Sequence, residues 1–269
     1  MNHTKPDSRY QTGIVFTFKL MLVLVVIATV ILAWVPPVSR DALTHHLAVP
    51  KLYIMHGGMV EIPHVPFSYY PMNLDLLYIL PLYLGNDILP KLIHYALALL
   101  TAWLIYAYLK KRLDALTACA GALIFLTIPV ILKLSITVYV DLGLVFFSTA
   151  ALIYLFRWLE DGLRFRHLAV SAVFCGLGLG TKYNGLVTLF ILVLFVAYAF
   201  IHANTGEDGN RRQVKAVGYA VAYFIIAMLV FSPWMVRNAL WTGNPVYPLY
   251  NSAFKSAPAK AIAAADAES

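Results

Sequence analysis

Charge is scarce in this sequence. Asp, Glu, Lys and Arg make up 12% of the 269 residues, whereas 61% are hydrophobic. Soluble domains carry about 25% charged residues, so the composition excludes an ordinary soluble domain and indicates a chain that crosses a lipid bilayer several times. The net charge of +7 chiefly informs orientation in such a protein, and we expect no nucleic-acid partner.

Cysteine and processing signals are also scarce. Cys119 and Cys175 are the only cysteines, and both lie in apolar runs, so we expect buried thiols and no disulfide. The first apolar run is followed by "PPVSRD" and not by a small-x-small cleavage site, which predicts an uncleaved first span. The zinc-binding spacings H-x-x-x-H and HExxH are absent.

Long apolar runs predict an all-α polytopic membrane protein. A span needs about 20 apolar residues, and the clear runs are 15–35, 88–109, 115–132, 141–159 and 217–232. Residues 168–202 would measure roughly 50 Å as one helix and contain "GTKYNG" in the middle, which favours two short helices. We therefore predict about seven spans in one domain, 1–250, followed by a low-complexity tail, 251–269.

Basic residues set the predicted orientation. With a cytoplasmic N-terminus, the basic segments 110–112, 157–166 and 211–215 all fall inside, as the positive-inside rule requires, provided that 168–202 crosses twice. Segments 36–87, 133–140, 181–184 and 233 onward then face outward. These outer segments hold Asp41, Asp75, Asp141, Lys182 and Arg237. The sequence thus predicts an inner (plasma) membrane protein with a functional site on its periplasmic face.

The long first outer loop, 36–87, is expected to carry interfacial helices. "DALTHHLAVPKLYIMHGG" has a helical pattern, with Pro50 bending it and Gly57-Gly58 ending it. "EIPHVPFSYYP" predicts an extended aromatic stretch, and "NLDLLYILPLYLG" predicts a helix too short to span.

Each outer ionisable residue has a structural and a functional interpretation. Asp41 and Asp141 fit helix caps or first-turn acids, or functional carboxylates at the mouth of a span. Lys182 fits a snorkelling lysine or a phosphate ligand. Arg237 fits a lipid-headgroup contact or a bidentate phosphate ligand. The adjacent His45 and His46 fit interfacial polar residues or metal ligands.

Four stretches in order carry a family resemblance: "RDALTHHLAVPKLY", "VYVDLGL", "GLGLGTKYNGL" and "PWMVRNALWTGNPVYPL". Over about residues 20–250 the chain resembles the lipid-linked-sugar glycosyltransferases of the GT-C superfamily. The likeness is to the dolichyl-phosphate-mannose protein mannosyltransferase-like group, which includes aminoarabinose transferases and RgtA/B/C/D-like members. It implies a GT-C-like helical bundle that moves a sugar from a polyprenyl-phosphate donor to an external glycan, lipid or protein acceptor. Attack opposite the phosphate would invert the anomeric centre.

The resemblance also implies roles for individual residues. Asp41 resembles the first-loop catalytic acid, a base toward the acceptor or a metal ligand, and Asp141 resembles the second acid. Lys182 and Arg237 are implied for the donor phosphate. The candidate substrate-binding set is Arg40, His45, His46, Tyr139, Lys182, Tyr183, Arg237 and Asn238. Relatives often have an acid pair where Asp41 stands alone, so no cofactor is assigned and a divalent metal is left open.

Two other classes stay open at this stage. One is a transporter or flippase for a lipid or polyol, although transporter sites lie near the bilayer midplane and these charges do not. The other is a non-catalytic membrane scaffold. Because full family members usually have more spans, we also expect a truncated form whose activity is open.

Overall fold

The computed structural model describes residues 8–206 and 208–256, and it is helical with no strand in these ranges. The helices are α1 (Ser8–Ala33), α2 (Ala48–Met55), α3 (Asn73–Tyr83), α4 (Leu89–Arg112), α5 (Ala115–Thr127), α6 (Pro129–Ser135), α7 (Asp141–Glu160), α8 (Phe165–Leu179), α9 (Gly185–Ala203), α10 (Gly209–Thr242) and α11 (Asn251–Phe254). A π-helical turn (Ala42–His46) precedes α2, and a 3₁₀ turn (Pro66–Tyr69) precedes α3. The predicted all-α class is confirmed.

Five helices of the described ranges are long and apolar enough to cross a membrane: the Thr12–Ala33 part of α1, and α4, α7, α9 and α10. The bent pair α5–α6 would form a sixth span. Helix α8 has 15 residues, or about 22 Å at 1.5 Å per residue, and is shorter than a hydrocarbon core of about 30 Å. The first half of the predicted hairpin 168–202 therefore corresponds to a helix below full spanning length.

The predicted span over 115–132 is bent in the structure. The chain bends by 66° between α5 and α6, and Ile128 at the bend has φ −56° and ψ 125°. Pro129 is the cause, because its ring disfavours the α conformation of the preceding residue. The predicted break within 168–202 is confirmed, since α8 ends at Leu179 and α9 begins at Gly185.

The last span is longer than the predicted 217–232, because α10 covers Gly209–Thr242. It continues through Pro233, which has no N–H to donate to the carbonyl four residues earlier. The Ser232 hydroxyl donates to that carbonyl of Leu229 at 2.7 Å. The "PWMVRNAL" stretch, predicted to follow the last span, is thus helical.

Helices α8 and α10 approach closely at Gly176. A β-carbon added there would lie 2.5 Å from the carbonyl oxygen of Ala227 and 2.7 Å from the Cβ of Val230. Both neighbours are rigid parts of α10, so the glycine sets the spacing of the two helices. Small residues commonly allow such contacts between membrane helices.

We expect Gly176→Ala to destabilise the fold by about 1–3 kcal/mol, the usual cost of overpacking. The matched control is Gly218→Ala on α10, where an added β-carbon meets nothing within 4 Å and alanine gains about 0.5–1 kcal/mol of helix preference. Thermal unfolding in one detergent should lower the Tm for the first variant and leave or raise it for the second. Equal Tm changes would contradict the close packing.

The bundle separates two chemically different ends. At one end, Arg112 of α4 forms an ion pair with Glu160 of α7, and Trp158 of α7 packs near Tyr219 of α10. The other end of α7 begins at Asp141, about 30 Å away for a 20-residue helix. The basic loops and the predicted site residues are therefore at opposite ends of the bundle.

Candidate functional site

A cavity of about 200 Å³ lies at the end of the bundle where α7 begins. It brings together six of the ten predicted site residues, namely Asp41, His45, His46, Tyr139, Asp141 and Lys182. The rest of its lining is Phe67, Tyr70, Pro71, Met72, Asp75, Val140 and Thr181. Arg40, Tyr183, Arg237 and Asn238 lie outside this lining.

The π-helical turn supplies one wall of the cavity. The Leu47 amide donates to the Ala42 carbonyl at 2.8 Å, five residues back, which widens the turn, and π turns often occur at functional sites. Asp41 precedes the turn but makes no capping hydrogen bond with its side chain. The carboxylate is thus an exposed group of the cavity without a capping hydrogen bond, and its functional role stays a prediction.

His45 contributes a neutral aromatic surface. Its ring stacks on Phe67 with centroids 4.4 Å apart and lies 4.1 Å from the His46 ring. Burial, aided by the charge of His46, lowers the pKa of His45 to about 4. His45 is therefore uncharged at neutral pH.

Lys182 and Asp141 form an ion pair across the cavity. The Lys182 Nζ donates to Asp141 Oδ1 at 2.7 Å, and both side chains are about one-third exposed. Asp141 is the first residue of α7, and Val140 occupies the cap position, so the N-cap interpretation of Asp141 is wrong. The ammonium lies in the break between α8 and α9, pinned at the cavity by a carboxylate from α7.

His94, which the sequence did not single out, fixes the start of α7. Its Nε2 accepts from the Leu142 amide at 2.9 Å, and its Nδ1 lies 3.0 Å from the Thr137 carbonyl. The ring therefore carries its proton on Nδ1 and caps the first turn of α7 with Nε2. This buried side chain positions Asp141 from α4.

Replacing His94 by Phe should lower the free energy of unfolding by about 1–3 kcal/mol, since it leaves a buried N–H without a partner. His202→Phe is the control, because His202 is exposed and bonds only its own helix, at the Tyr198 carbonyl. Thermal unfolding of the two variants checks this. A Tm for His94→Phe as high as that of the control would show that the capping bond contributes nothing.

Arg237 and Asn238 lie behind one wall of the cavity. Arg237 Nη2 donates to the Tyr70 carbonyl at 3.0 Å, and its guanidinium lies over the rings of Trp234 and Trp241. Asn238 Nδ2 donates to the Tyr69 carbonyl at 2.9 Å. Both side chains are buried and hold the aromatic loop that carries Phe67 and Tyr70. The contact of Arg237 with a donor phosphate and the substrate-binding role of Asn238 stay predictions.

Asn73 joins three elements at the same wall. Its backbone N–H donates to the Gly180 carbonyl at 2.9 Å, and its Nδ2 donates to the Leu177 carbonyl at 3.1 Å. Its Oδ1 accepts from the Trp234 Nε1 at 2.8 Å. A β-carbon at Gly180 would collide with the Asn73 side chain. These bonds fix the start of α3 against the α8–α9 break and α10.

Asp75 is the functional-site residue whose place the sequence left undefined. The sequence predicted only that Asp75 lies on the outer side of the membrane. In the structure the residue is 2% exposed to solvent, and its Oδ1 lies 2.7 Å from His46 Nδ1. Burial raises the pKa of Asp75, an effect that His46 opposes. The available signal was an acid inside the short apolar stretch "NLDLLYIL", where an ionisable group usually has a specific partner.

The Asp and His residues of this cavity are not arranged as a metal site. Within residues 8–206 and 208–256 no group of three or more His, Cys, Asp or Glu side chains is placed to hold a metal ion. Asp41, the first-loop candidate, has no hydrogen-bond partner among those residues. This donor set does not fit a metal centre, and we derive no step through a metal.

Comparison with known proteins gives a family and a fold. The family model described as dolichyl-phosphate-mannose-protein mannosyltransferase matches residues 83–236. No curated protein sequence matches the chain. A solved structure that matches is the S. cerevisiae protein O-mannosyltransferase Pmt1-Pmt2 complex bound to the sugar donor, with 17% identity and a TM-score of 0.54. The match covers 82% of this chain and 34% of that chain, so this chain spans about a third of that protein.

Proposed function

The chain belongs to the dolichyl-phosphate-mannose-protein mannosyltransferase family, within the GT-C superfamily, and we propose that it transfers mannose or a related sugar from a polyprenyl-phosphate donor to a hydroxyl acceptor. The observation that carries the proposal is the shared cavity of Asp41, Asp141 and Lys182. These residues come from three distant parts of the sequence. Together they place a carboxylate that can accept a hydrogen bond, Asp41, and a cation, Lys182, around one cavity.

On the donor side, Lys182 binds the phosphate that becomes the leaving group. The phosphate gains negative charge as the glycosidic bond breaks, and a fixed cation stabilises that charge more in the transition state than in the ground state. Asp141 holds the ammonium in place through the 2.7 Å contact. Asp141 thereby orients the Lys182 side chain, so the ammonium has to move less when the phosphate gains charge.

On the acceptor side, Asp41 accepts a hydrogen bond from the attacking hydroxyl. Its exposed carboxylate has no competing partner in the described part of the chain, so it is available to a substrate. A carboxylate near the anomeric carbon also stabilises the positive charge of an oxocarbenium-like transition state. Attack from the face opposite the phosphate inverts the anomeric centre.

The reaction is assigned to the outer, periplasmic face of the inner membrane. The basic loops occupy the end of the bundle far from the cavity, and an excess of basic residues favours the cytoplasmic side. The same location disfavours a transporter, because the cavity lies at a helix end and transporter sites lie near the midplane. The N-terminus is then cytoplasmic.

Reconstituted protein supplied with radiolabelled mannosyl-phosphoryl-polyprenol tests the proposal. We expect release of polyprenyl phosphate. We also expect the label to move to a Ser/Thr peptide, an oligosaccharide or a lipopolysaccharide core. Parallel donors carrying glucose or aminoarabinose identify the sugar. Absence of release with every donor, together with uptake of an intact lipid or polyol into vesicles, would favour the transporter class instead.

A further inference from the structure

His46 and Asp75 form a buried acid–imidazole pair on the cavity wall. The Nδ1 of His46 lies 2.7 Å from Asp75 Oδ1, and the two residues are 8% and 2% exposed. They come from the π-helical turn and from α3, 29 residues apart. The contact fixes the ring, with Nδ1 donating its hydrogen to the carboxylate.

The opposite edge of the His46 ring is available to a substrate. Among the described residues the ring makes one hydrogen bond, through Nδ1 to Asp75. His46 nevertheless lines the cavity together with Asp41, Asp141 and Lys182. The Nε2 atom is not among the fully buried side-chain atoms that lack a partner, so it is a free acceptor on a residue that lines the cavity.

A purely structural role explains this pair less well. The neighbouring tether between α3 and the start of α7 uses neutral groups, with the Tyr78 hydroxyl donating to the Tyr139 carbonyl. Burying a carboxylate costs far more than burying a hydroxyl. A carboxylate behind an imidazole has a specific chemical use, because it fixes the tautomer and stabilises the imidazolium when the ring takes a proton.

We propose that His46 is a catalytic residue that takes the proton of the acceptor hydroxyl, and that Asp75 is its positioning residue. This inference rests on the proposed function. The acceptor oxygen forms the new bond to the anomeric carbon, and the bond from that carbon to the phosphate oxygen breaks with its electron pair going to the phosphate. The hydroxyl proton moves to Nε2, and the resulting imidazolium returns it to water after the products leave.

Asp41 and His46 thereby have different tasks. Asp41 is exposed, free of partners in the described ranges, and suited to orienting the hydroxyl. A general base must be held within hydrogen-bond reach of the proton that it takes, and the Nδ1 contact with Asp75 fixes the His46 ring in one orientation. The titratable groups that line the cavity with His46 are Asp41, His45, Tyr70, Asp75, Tyr139, Asp141 and Lys182. His94 also lies within electrostatic range of His46, and Tyr78 lies within range of Asp75.

The test compares His46→Gln and Asp75→Asn with His56→Gln, a control in the same loop. The His56 imidazole is exposed, and its hydrogen bond within the described residues is to the Leu52 carbonyl. Transfer from mannosyl-phosphoryl-polyprenol is measured between pH 5 and 9, alongside thermal unfolding. We expect His46→Gln to lose about 10²–10⁴-fold in kcat and to lose the acid limb of the kcat/KM profile. Asp75→Asn should lose less and shift that limb, and His56→Gln should match the wild type.

Chemical rescue separates catalysis from folding. Added imidazole should restore part of the transfer by His46→Ala and none of the transfer by Asp41→Asn. If the wild type is active and His46→Gln is equally active, the catalytic role of His46 and Asp75 is overturned and the proposed function is not. The same holds if His46→Gln loses activity with a lowered Tm and imidazole restores none of the transfer by His46→Ala. A wild type that cleaves no lipid-linked sugar would overturn the proposed function itself.

Discussion

Asp41→Asn should reduce sugar transfer by about 10²–10⁴-fold, the range typical for loss of a proton-handling or charge-stabilising carboxylate. The amide keeps the size of the side chain but removes the negative charge that faces the anomeric carbon. Its NH₂ group also donates where the attacking hydroxyl must donate. Initial rates of label transfer in reconstituted protein measure the effect. The Tm should stay near that of the wild type, because the Asp41 side chain makes no capping hydrogen bond.

Asp208→Asn is the matched control for that variant. Asp208 caps α10, accepting from the Arg211 amide at 3.4 Å, at the basic end of the bundle. Asn caps helices about as well as Asp, so activity and Tm should both be unchanged. Transfer by Asp41→Asn above a third of the wild-type rate would remove Asp41 from the reaction.

The sequence was sufficient to predict that distant charges share one end of the bundle. That conclusion came from counting the apolar runs and assigning the basic loops between them to the cytoplasmic side, which requires only the order of these segments along the sequence. It placed Asp41, Asp141 and Lys182 together without any knowledge of helix packing. The cavity that joins them confirms their clustering, while their chemical roles stay predictions.

Local backbone geometry was less accessible. The bend before Pro129 had a signal in the sequence, yet the run 115–132 is apolar throughout and hydropathy alone favours one helix. Conversely, Pro233 lies inside α10 without ending it, because Ser232 bonds the carbonyl that the proline leaves free. Proline therefore had opposite consequences at two positions, and neighbouring side chains decided which one followed.

Tertiary partners were beyond the reach of the sequence. His46 and Asp75 are far apart along the chain, and nothing in their spacing indicates a contact. Arg237 was predicted as a phosphate ligand from the bidentate chemistry of its guanidinium and from the family resemblance, and that contact stays a prediction. In the structure the last apolar run continues as helix, which places the guanidinium between two tryptophans and on the Tyr70 carbonyl.

Lys182→Gln should reduce kcat/KM by about 10²–10³-fold, the usual cost of removing one donor from a developing oxyanion. Release of polyprenyl phosphate should fall in parallel with transfer, because the lost interaction acts on the leaving group. Asp141→Asn should have a smaller effect, since the ammonium remains but is no longer held. Lys182→Arg should retain partial activity, because it keeps the charge but changes its shape.

The double variant Lys182→Gln/Asp141→Asn distinguishes a catalytic lysine from a structural ion pair. If the pair only fastened α7 to the α8–α9 break, each single variant would leave one charge unpaired and the double variant would recover activity. If Lys182 binds the phosphate, the double variant should be as slow as Lys182→Gln. Both side chains are partly exposed, so the ion pair itself contributes little to stability. Similar Tm values with unequal rates would therefore locate the effect in the reaction.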